Sequence, residues 1–262
     1  MKKFTIIVTH YNQMNYIKEA LESVLNQNYK NIELIVADDG SPSFERKKVE
    51  KYIKNKNKKH FEYKILDPKV NNGTVKNINN AVKEASGDYI MFFAADDKLY
   101  DENVVSNFIK AFENEKRNII TTQCLLYDDK FIKLFGKFVD KYKSWIYNYK
   151  SVKSNYARMA IGCCYGSGGT AYRKEIFEKY GLFDEQYIFV EDWSYWLKVL
   201  REGEKLYYCN FYTLCHRDGG ISHSEYSVYT IPKHVRQYYF DISNIYCNEI
   251  SCLSLSNFSK LC

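Results

Sequence analysis

The sequence is poor in proline and lacks the features that mark membrane-spanning, secreted and modular proteins. Three of its 262 residues are proline, and no Pro/Gly-rich linker or internal repeat divides the chain. No apolar run approaches the roughly 18 residues that a membrane span requires. The apolar stretch at 4–8 is too short for a signal peptide, and polar residues follow it instead of a cleavage site. We therefore expect a cytoplasmic protein.

The sequence also lacks the cysteine spacing of zinc sites and disulfide scaffolds. Eight cysteines are present, but apart from the adjacent pair Cys163-Cys164 they are scattered, and no Cys-x-x-Cys occurs. In a protein that stays in the cytosol, this pattern predicts reduced, mostly buried thiols and argues against a structural zinc site.

Positive charge is modest overall and is concentrated in two segments. The formal net charge is +6, and lysines crowd residues 46–59 and 130–153. The first segment fits the exposed face of a helix. The second is interleaved with aromatic residues such as Phe135 and Trp145, a combination typical of surfaces that contact a membrane or an anionic lipid head group. No nucleic-acid-binding motif accompanies the charge, so we expect no nucleic-acid partner.

Apolar patterns in the first half of the chain alternate between strand and helix. Short apolar runs at 4–8, 32–37 and 89–94 indicate strands that are buried on both faces. Between the first two runs, residues 17–25 carry apolar side chains at helical spacing. This alternation predicts an α/β protein with a Rossmann-like, mostly parallel sheet flanked by helices.

Two pairs of adjacent aspartates stand where predicted strands end. Asp38-Asp39 follows the second apolar run, and Asp96-Asp97 follows the third. In open α/β sheets, ligands bind outside the carboxyl ends of the strands. Carboxylates there can bind sugar hydroxyls, a base N–H, or a divalent cation that holds a diphosphate. We predict a nucleotide-sugar site, with Asp97 as the ligand of Mn²⁺ or Mg²⁺ and Asp96 available to a ribose hydroxyl.

Two further positions suit the same chemistry. Tyr11 follows the first strand and could stack on a nucleobase, while Asp39 could accept the N3–H of a uracil or thymine. Glu191-Asp192 begins a predicted helix, whose N-terminus keeps a carboxylate ionised. A carboxylate that takes the proton of an attacking hydroxyl is what an inverting sugar transfer requires of its general base.

Together these segments resemble the glycosyltransferase family 2 enzymes, which have the GT-A (nucleotide-diphosphosugar transferase) fold. The resemblance lies in residues 5–12, 17–27, 32–41, 72–73, 87–97, 169–185 and 191–192. It implies one GT-A domain at 1–225, with a nucleotide-sugar-binding half at 1–120 and an acceptor and catalytic half at 121–225. A C-terminal helical extension at 226–262 would follow.

The resemblance also implies an activity and a set of site residues. We expect an inverting, metal-dependent transfer from a nucleotide diphosphosugar, UDP-linked, to a saccharide or lipid-linked acceptor in surface polysaccharide or glycolipid synthesis. Such a protein would be cytoplasmic and could be peripheral on the inner face of the plasma membrane. By resemblance, the nucleoside would be held by Thr9, Tyr11, Asp39 and Asp96, the Mn²⁺ or Mg²⁺ by Asp97, and the catalytic base would be Asp192.

The sequence departs from the family pattern at three places. Ala94 stands where the first Asp of the usual Asp-x-Asp is found. Ile78 occupies a position that often carries Arg or Lys, so Lys76 would have to supply a phosphate contact. The later segment 215–222 is expected to be a loop, from which His216 or Arg217 could touch the diphosphate.

Two other functions remain open on the sequence alone. A sugar-1-phosphate nucleotidyltransferase would need a glycine-rich, basic phosphate loop after the first strand, but residues 9–15 contain neither glycine nor arginine. A non-catalytic nucleotide-sugar-binding module could retain the same fold, and only activity would separate it. Processive synthases of the family carry membrane spans and a Gln-x-x-Arg-Trp motif, and both are absent here.

Overall fold

The computed structural model describes residues 1–139, 148, 151–162, 166–218 and 233–250. The strands are β1 (Phe4–His10), β2 (Ile32–Asp38), β3 (Glu62–Leu66), β4 (Tyr89–Ala94), β5 (Lys98–Leu99), β6 (Ile119–Tyr127), β7 (Leu134–Lys137), β8 (Thr170–Arg173) and β9 (Leu206–Arg217). The helices are α1 (Ile17–Leu25), α2 (Arg46–Lys56), α3 (Thr74–Glu84), α4 (Val104–Glu115), α5 (Val152–Ile161), α6 (Glu175–Tyr180), α7 (Glu191–Arg201) and α8 (Lys233–Ile245). A 3₁₀ turn lies at Ser167–Gly169, and a π-helical turn lies at Tyr246–Ile250.

The strands form one mixed sheet in the order β3-β2-β1-β4-β8-β6-β9-β5, with β7 paired to β6. The first four strands in this order are parallel to one another, whereas β8 runs antiparallel to both β4 and β6. The mostly parallel α/β sheet that the sequence predicts is therefore confirmed. Every residue of β2 is buried, as expected for a strand with helices on both faces. The apolar stripe of α1 is buried as well.

Strand register brings the ends of β1, β2 and β4 to one edge of the sheet. In the β1–β2 pairing His10 lies opposite Asp38, and in the β1–β4 pairing Thr9 lies opposite Ala94. Two backbone hydrogen bonds extend this alignment past the strands, from Asp39 N to His10 O at 2.9 Å and from Ala95 N to Thr9 O at 2.8 Å. Both aspartate pairs consequently lie at the same edge.

The expected loop at 215–222 is wrong in its first part. β9 continues through Arg217, because His216 pairs with Leu126 and Arg217 with Tyr127 of β6. The segment mixes aromatic, polar and charged residues without a clean alternation, so its strand character depends on its long-range partner. Residues 219–222 lie outside the described residues.

Helix α8 packs on the domain itself. Its Ile245 is fully buried in the hydrophobic cluster that contains Trp193 and Tyr187. Within the basic and aromatic segment at 130–153, most of the described residues belong to the β6–β7 hairpin. Residues 140–147 and 149–150, which include Trp145, lie outside the described part. Of the helices that the structure describes, none is both long and apolar enough to cross a membrane.

Candidate donor and catalytic site

Asp38 stabilises the edge of the sheet at which the strand ends meet. Its Oδ1 lies 2.7 Å from His10 Nδ1, and its Oδ2 accepts a hydrogen bond from Ser41 N at 2.8 Å. Because Gln13 N–H donates to His10 Nε2 at 3.1 Å, the imidazole proton must lie on Nδ1 and point to Asp38. The buried Asp38 therefore joins the end of β1 to the loop that follows β2.

Asp39 is held by the loop before α3. Its carboxylate accepts hydrogen bonds from Asn72 N at 2.8 Å and Gly73 N at 3.0 Å, and only 4% of the residue is exposed. Burial raises the pKa of Asp39. Gly73 has φ +88°, and a Cβ there would lie 2.6 Å from Ile188 Cγ2, so the close approach requires glycine. Each carboxylate oxygen still has capacity for a further donor such as a base N–H.

Asp97 ties the end of β4 to the end of β9. Its Oδ2 lies 2.9 Å from His216 Nδ1, and its Oδ1 accepts a hydrogen bond from Arg217 N at 2.9 Å. Burial lowers the pKa of His216, but the hydrogen bond and charge of Asp97 outweigh it, so the net shift is upward. Asp97 is 4% exposed, and both of its oxygens are engaged within the protein.

Arg217 supports the junction between the end of β4 and the end of β9. Its Nε donates to the backbone oxygen of Asp96 at 2.8 Å, and its terminal nitrogen lies 2.8 Å from Glu19 Oε2. The guanidinium also lies over two rings, 4.4 Å from the centre of Tyr16 and 4.1 Å from that of Phe131. With only 5% of the residue exposed, Arg217 is a buried support of the site.

Asp96 differs from its neighbour because its carboxylate is not fully satisfied. The Gln13 side chain hydrogen-bonds to it, but Oδ1 is buried and has no hydrogen-bond partner among the described residues. Burial and then the charge of Asp97 raise the pKa of Asp96 to about 6. A buried carboxylate oxygen without a partner costs free energy that a bound cation or hydroxyl would offset.

The carboxylate oxygens at the end of β4 fit a divalent cation that also binds a phosphate of the ligand. In the part of the chain that the structure describes, no group of three or more His, Cys, Asp or Glu side chains is placed to hold a metal. Mg²⁺ is usually bound through one or two carboxylates together with water and substrate phosphates. The partnerless oxygen of Asp96 meets that requirement.

The remaining predicted donor residues line the same edge. Thr9 Oγ1 donates to Phe93 O at 3.3 Å, and Tyr11 directly after β1 is 46% exposed, which leaves its ring available for stacking. Lys76 is exposed in the first turns of α3, whereas Ile78 is buried in the core. Of these two positions, only Lys76 presents a charge to solvent.

Glu191 and Asp192 open α7 and share a partner. The hydroxyl of Ser167 donates to Glu191, and the backbone N–H of Ser167 donates to Asp192. Asp192 Oδ1 also accepts from Trp193 N at 2.6 Å. Burial raises the pKa of Asp192 to about 6, and burial together with the charge of Asp192 raises the pKa of Glu191 further. Two adjacent buried carboxyls favour holding one proton between them at neutral pH, and Asp192, which accepts two backbone N–H hydrogen bonds, is the better placed of the two to stay ionised.

Ser167 connects this carboxylate pair to the sheet edge, and the sequence did not identify it as a site residue. It lies in the 3₁₀ turn whose glycines permit close packing. A Cβ on Gly168 would lie 2.6 Å from Leu214 Cδ2 and 3.5 Å from Phe93 Cβ. Phe93 lies on β4, shortly before Asp96. The glycine-rich run at 162–169 was the only sequence signal for this turn.

Comparison with known proteins identifies the family of the chain. The sequence matches Glycosyl transferase family 2 over residues 5–181. An uncharacterized glycosyltransferase of Rickettsia typhi is 30% identical over 200 residues, which are 75% of this chain and 58% of that protein. This chain thus spans little more than half of that relative's length.

Two solved structures share the fold. Residues 1–349 of Staphylococcus aureus TarS, in complex with UDP-GlcNAc, superpose with a TM-score of 0.67 at 20% identity, covering 93% of this chain and 65% of that one. The mannosyltransferase PcManGT of Pyrobaculum calidifontis, in complex with GDP-Man and Mn²⁺, gives a TM-score of 0.60 at 16% identity, covering 81% of this chain and 56% of that one. As the sequence resemblance predicted, the chain belongs to glycosyltransferase family 2 and has the GT-A fold.

Proposed function

We propose that this chain is an inverting glycosyltransferase that uses a UDP-linked sugar as donor. The acceptor is the hydroxyl of a saccharide or lipid-linked saccharide in surface polysaccharide or glycolipid synthesis. One observation carries the proposal. Ser167 hydrogen-bonds to both Glu191 and Asp192, and the turn that contains Ser167 packs against β4, the strand that leads to Asp96. This packing supports a base and a donor site at one edge of the sheet.

The nucleoside side of the donor site uses the ends of β1 and β2. The exposed ring of Tyr11 stacks on the base, Asp39 accepts the base N3–H, and Thr9 lines the pocket between them. TarS, which shares the fold, was solved with UDP-GlcNAc. That ligand supports a uridine donor as the first to be tested.

The diphosphate side of the donor site uses Asp96. The sequence assigned the metal to Asp97, whose two oxygens are already engaged by His216 and Arg217 but keep lone-pair capacity. Because Asp96 has a buried oxygen without a partner among the described residues, we assign the Mn²⁺ or Mg²⁺ to Asp96 first. When bound, the ion neutralises the charge that develops on the leaving diphosphate. PcManGT was solved with Mn²⁺, which supports a divalent ion in this fold.

Asp192 acts as the general base. It takes the proton of the acceptor hydroxyl while the hydroxyl oxygen bonds to the anomeric carbon and the bond from that carbon to the diphosphate oxygen breaks. Attack opposite the leaving group inverts the configuration. A pKa of about 6 leaves Asp192 ionised at neutral pH yet more basic than an ordinary aspartate.

The acceptor side includes a peripheral contact with anionic lipid on the inner face of the plasma membrane. The tip of the β6–β7 hairpin exposes large apolar side chains: Ile132 (79%), Leu134 (49%) and Phe135 (52%). Exposed Lys130 and Lys133 flank them, so the tip combines apolar surface with charge complementary to acidic head groups. Phe131 of the same hairpin stacks on Arg217, which bonds to Asp96. Docking the hairpin would therefore bring the site close to a lipid-linked acceptor.

An Asp192→Asn variant tests the proposed function. UDP release from UDP-GlcNAc with Mn²⁺ should fall by about 10²- to 10⁴-fold. UDP binding, followed by calorimetry, should stay at the wild-type level, because the proposal places Asp192 on the acceptor side and gives it no contact with the nucleotide. Equal loss of binding and turnover would refute the base assignment. Donor binding by the wild type without any turnover would instead identify a binding module.

A further inference from the structure

A buried carboxylate on the C-terminal helix clamps the segment that precedes the catalytic pair. Asp241 of α8 is fully buried. Its Oδ2 accepts hydrogen bonds from both Ile188 N and Phe189 N at 2.8 Å, and its Oδ1 accepts one from Gln237 Nε2 at 2.9 Å. Hydrogen bonds to a charged acceptor are stronger than neutral ones, so two consecutive amides are fixed by one side chain.

The clamped segment also contacts the donor side of the site. Ile188 O accepts a hydrogen bond from Val75 N at 3.1 Å, in the first turn of α3. The Ile188 side chain leaves no room for a Cβ on Gly73, since Cγ2 would lie 2.6 Å from it. Gly73 N–H in turn donates to Asp39. Residue 188 therefore touches the loop that holds the proposed base-recognition carboxylate.

The other end of the segment leads directly into the catalytic helix. Val190 is the N-cap of α7 and is 5% exposed, and Glu191-Asp192 form the first turn. Only two peptide units separate the Phe189 amide held by Asp241 from that of Asp192. A shift of residues 188–189 would therefore move the base relative to the donor loop.

We infer that Asp241 is a positioning residue for the transfer reaction: it fixes the distance between the base Asp192 and the donor loop at Gly73. This inference rests on the proposed function, because it takes Asp192 as the base. It gives α8, which lies outside the 5–181 family match, a role in the rate of the reaction.

A purely packing role for α8 predicts something different, and Ile245 provides the matched control. Ile245 is on the same helix and is fully buried, but it belongs to the apolar cluster with Trp193. Ile245→Ala should destabilise the docked helix without releasing the two amides of Ile188 and Phe189. Asp241→Asn keeps the shape and one oxygen acceptor, and so should retain part of the clamp.

The experiment measures UDP release from UDP-GlcNAc with Mn²⁺, UDP affinity, Tm, and hydrogen exchange at Ile188 and Phe189. Asp241→Ala should lower kcat by about 10- to 100-fold, since a displacement of about 1 Å can cost that much. Its UDP affinity should change little, and both amides should exchange faster. Asp241→Asn should recover part of kcat, and Ile245→Ala should keep kcat wherever it is folded.

Several results would overturn the inference. One is a wild-type kcat in a folded Asp241→Ala protein with protected amides, and another is a parallel fall of kcat and Tm in the Asp241 and Ile245 variants. If Asp241→Ala does not fold, an unchanged kcat in Asp241→Asn overturns it, and a lowered kcat at wild-type Tm supports it. Failure of the proposed function is seen separately, as full turnover by Asp192→Asn.

Discussion

Asp97 and His216 are 119 residues apart in the chain, yet the carboxylate oxygen of Asp97 lies 2.9 Å from His216 Nδ1. This contact joins the end of β4 to the end of β9. A second bond, from Arg217 N to the other oxygen of Asp97, completes the junction. Asp38 forms an equivalent junction with His10 at the end of β1. In each aspartate pair, one member therefore joins two strand ends, and the other is the one to which we assign a ligand.

Removing the Asp97 carboxylate should destabilise the fold. Asp97→Ala leaves a buried N–H of Arg217 and the His216 ring without their acceptor, and the expected loss in free energy of unfolding is about 3 kcal/mol. Denaturant unfolding of the purified variant measures this loss. Wild-type stability would contradict the structural role of Asp97.

Asp96→Ala is the matched comparison at the neighbouring position. It removes a carboxylate with a partnerless buried oxygen, so stability should be unchanged or higher. Calorimetric titration with UDP should show binding that Mn²⁺ enhances in the wild type and does not enhance in the variant. A variant that retained this enhancement would return the metal to Asp97.

Local patterns in the sequence predicted the elements that build the site. Continuous apolar runs identified β1, β2 and β4, and the spacing of Ile17 to Leu25 identified the buried face of α1. Parallel strands must bring their carboxyl ends together, so the clustering of the aspartate pairs followed from topology alone.

Which side chain each site residue contacts depends on residues that are distant in sequence, and these contacts could not be predicted. Asp96 and Asp97 are indistinguishable as letters, and only the pairing of β9 with β6 brings His216 to one of them. Ser167 and Asp241 act through neighbours on other elements, and neither belongs to a pattern that indicates a function. Strand β9 was not predicted from the sequence for the same reason, and its last residues were expected to be part of a loop.

The rate of transfer should depend on pH through Asp192. The group must be deprotonated to accept a proton, and burial raises its pKa to about 6. We expect kcat to rise with pH through this value and to decline below it, whereas an ordinary aspartate with a pKa of about 3.9 would stay active to lower pH. Steady-state UDP release at saturating donor, measured from about pH 4.5 to about pH 8 so that the transition is spanned, checks this. A flat profile down to pH 4.5 would contradict the assignment.

The buried carboxyl pair should also affect stability. Burial and the charge of Asp192 raise the pKa of Glu191 to about 8, so the folded state holds its proton more tightly than the unfolded state does. A group whose pKa is raised by folding contributes its full stabilisation at pH values below its pKa in the unfolded state, which is about 4.3 for Glu. This stabilisation is lost as the pH rises through the pKa of the group in the folded state.

Glu191→Gln removes this pH-dependent loss. The variant should therefore gain Tm relative to the wild type as the pH is raised toward 8, and the difference should disappear near pH 4. Thermal unfolding at the two pH values measures it. A gain at low pH that vanished at high pH would have the wrong sign and would refute the proposed protonation state.

The hairpin tip should bind anionic vesicles. Replacing Lys130 and Lys133 with Glu should weaken sedimentation with phosphatidylserine-containing vesicles, because each basic residue near such a surface contributes about 1 kcal/mol. Replacing Lys47 and Lys51, which are exposed on α2, provides a control of equal charge change. Equal weakening by both pairs would indicate non-specific attraction, and no weakening by either would remove the hairpin from the membrane contact.

The stereochemistry of donor cleavage tests the central claim most directly. Proton NMR can follow UDP-GlcNAc, UDP-glucose and UDP-galactose, all α-linked, with the protein and Mn²⁺ while the free sugar is released to water. An inverting mechanism with Asp192 as base predicts that the β-anomer of the sugar appears first, before mutarotation, and that Asp192→Asn releases far less of it. First appearance of the α-anomer, or no cleavage of any of the three donors, would contradict the account.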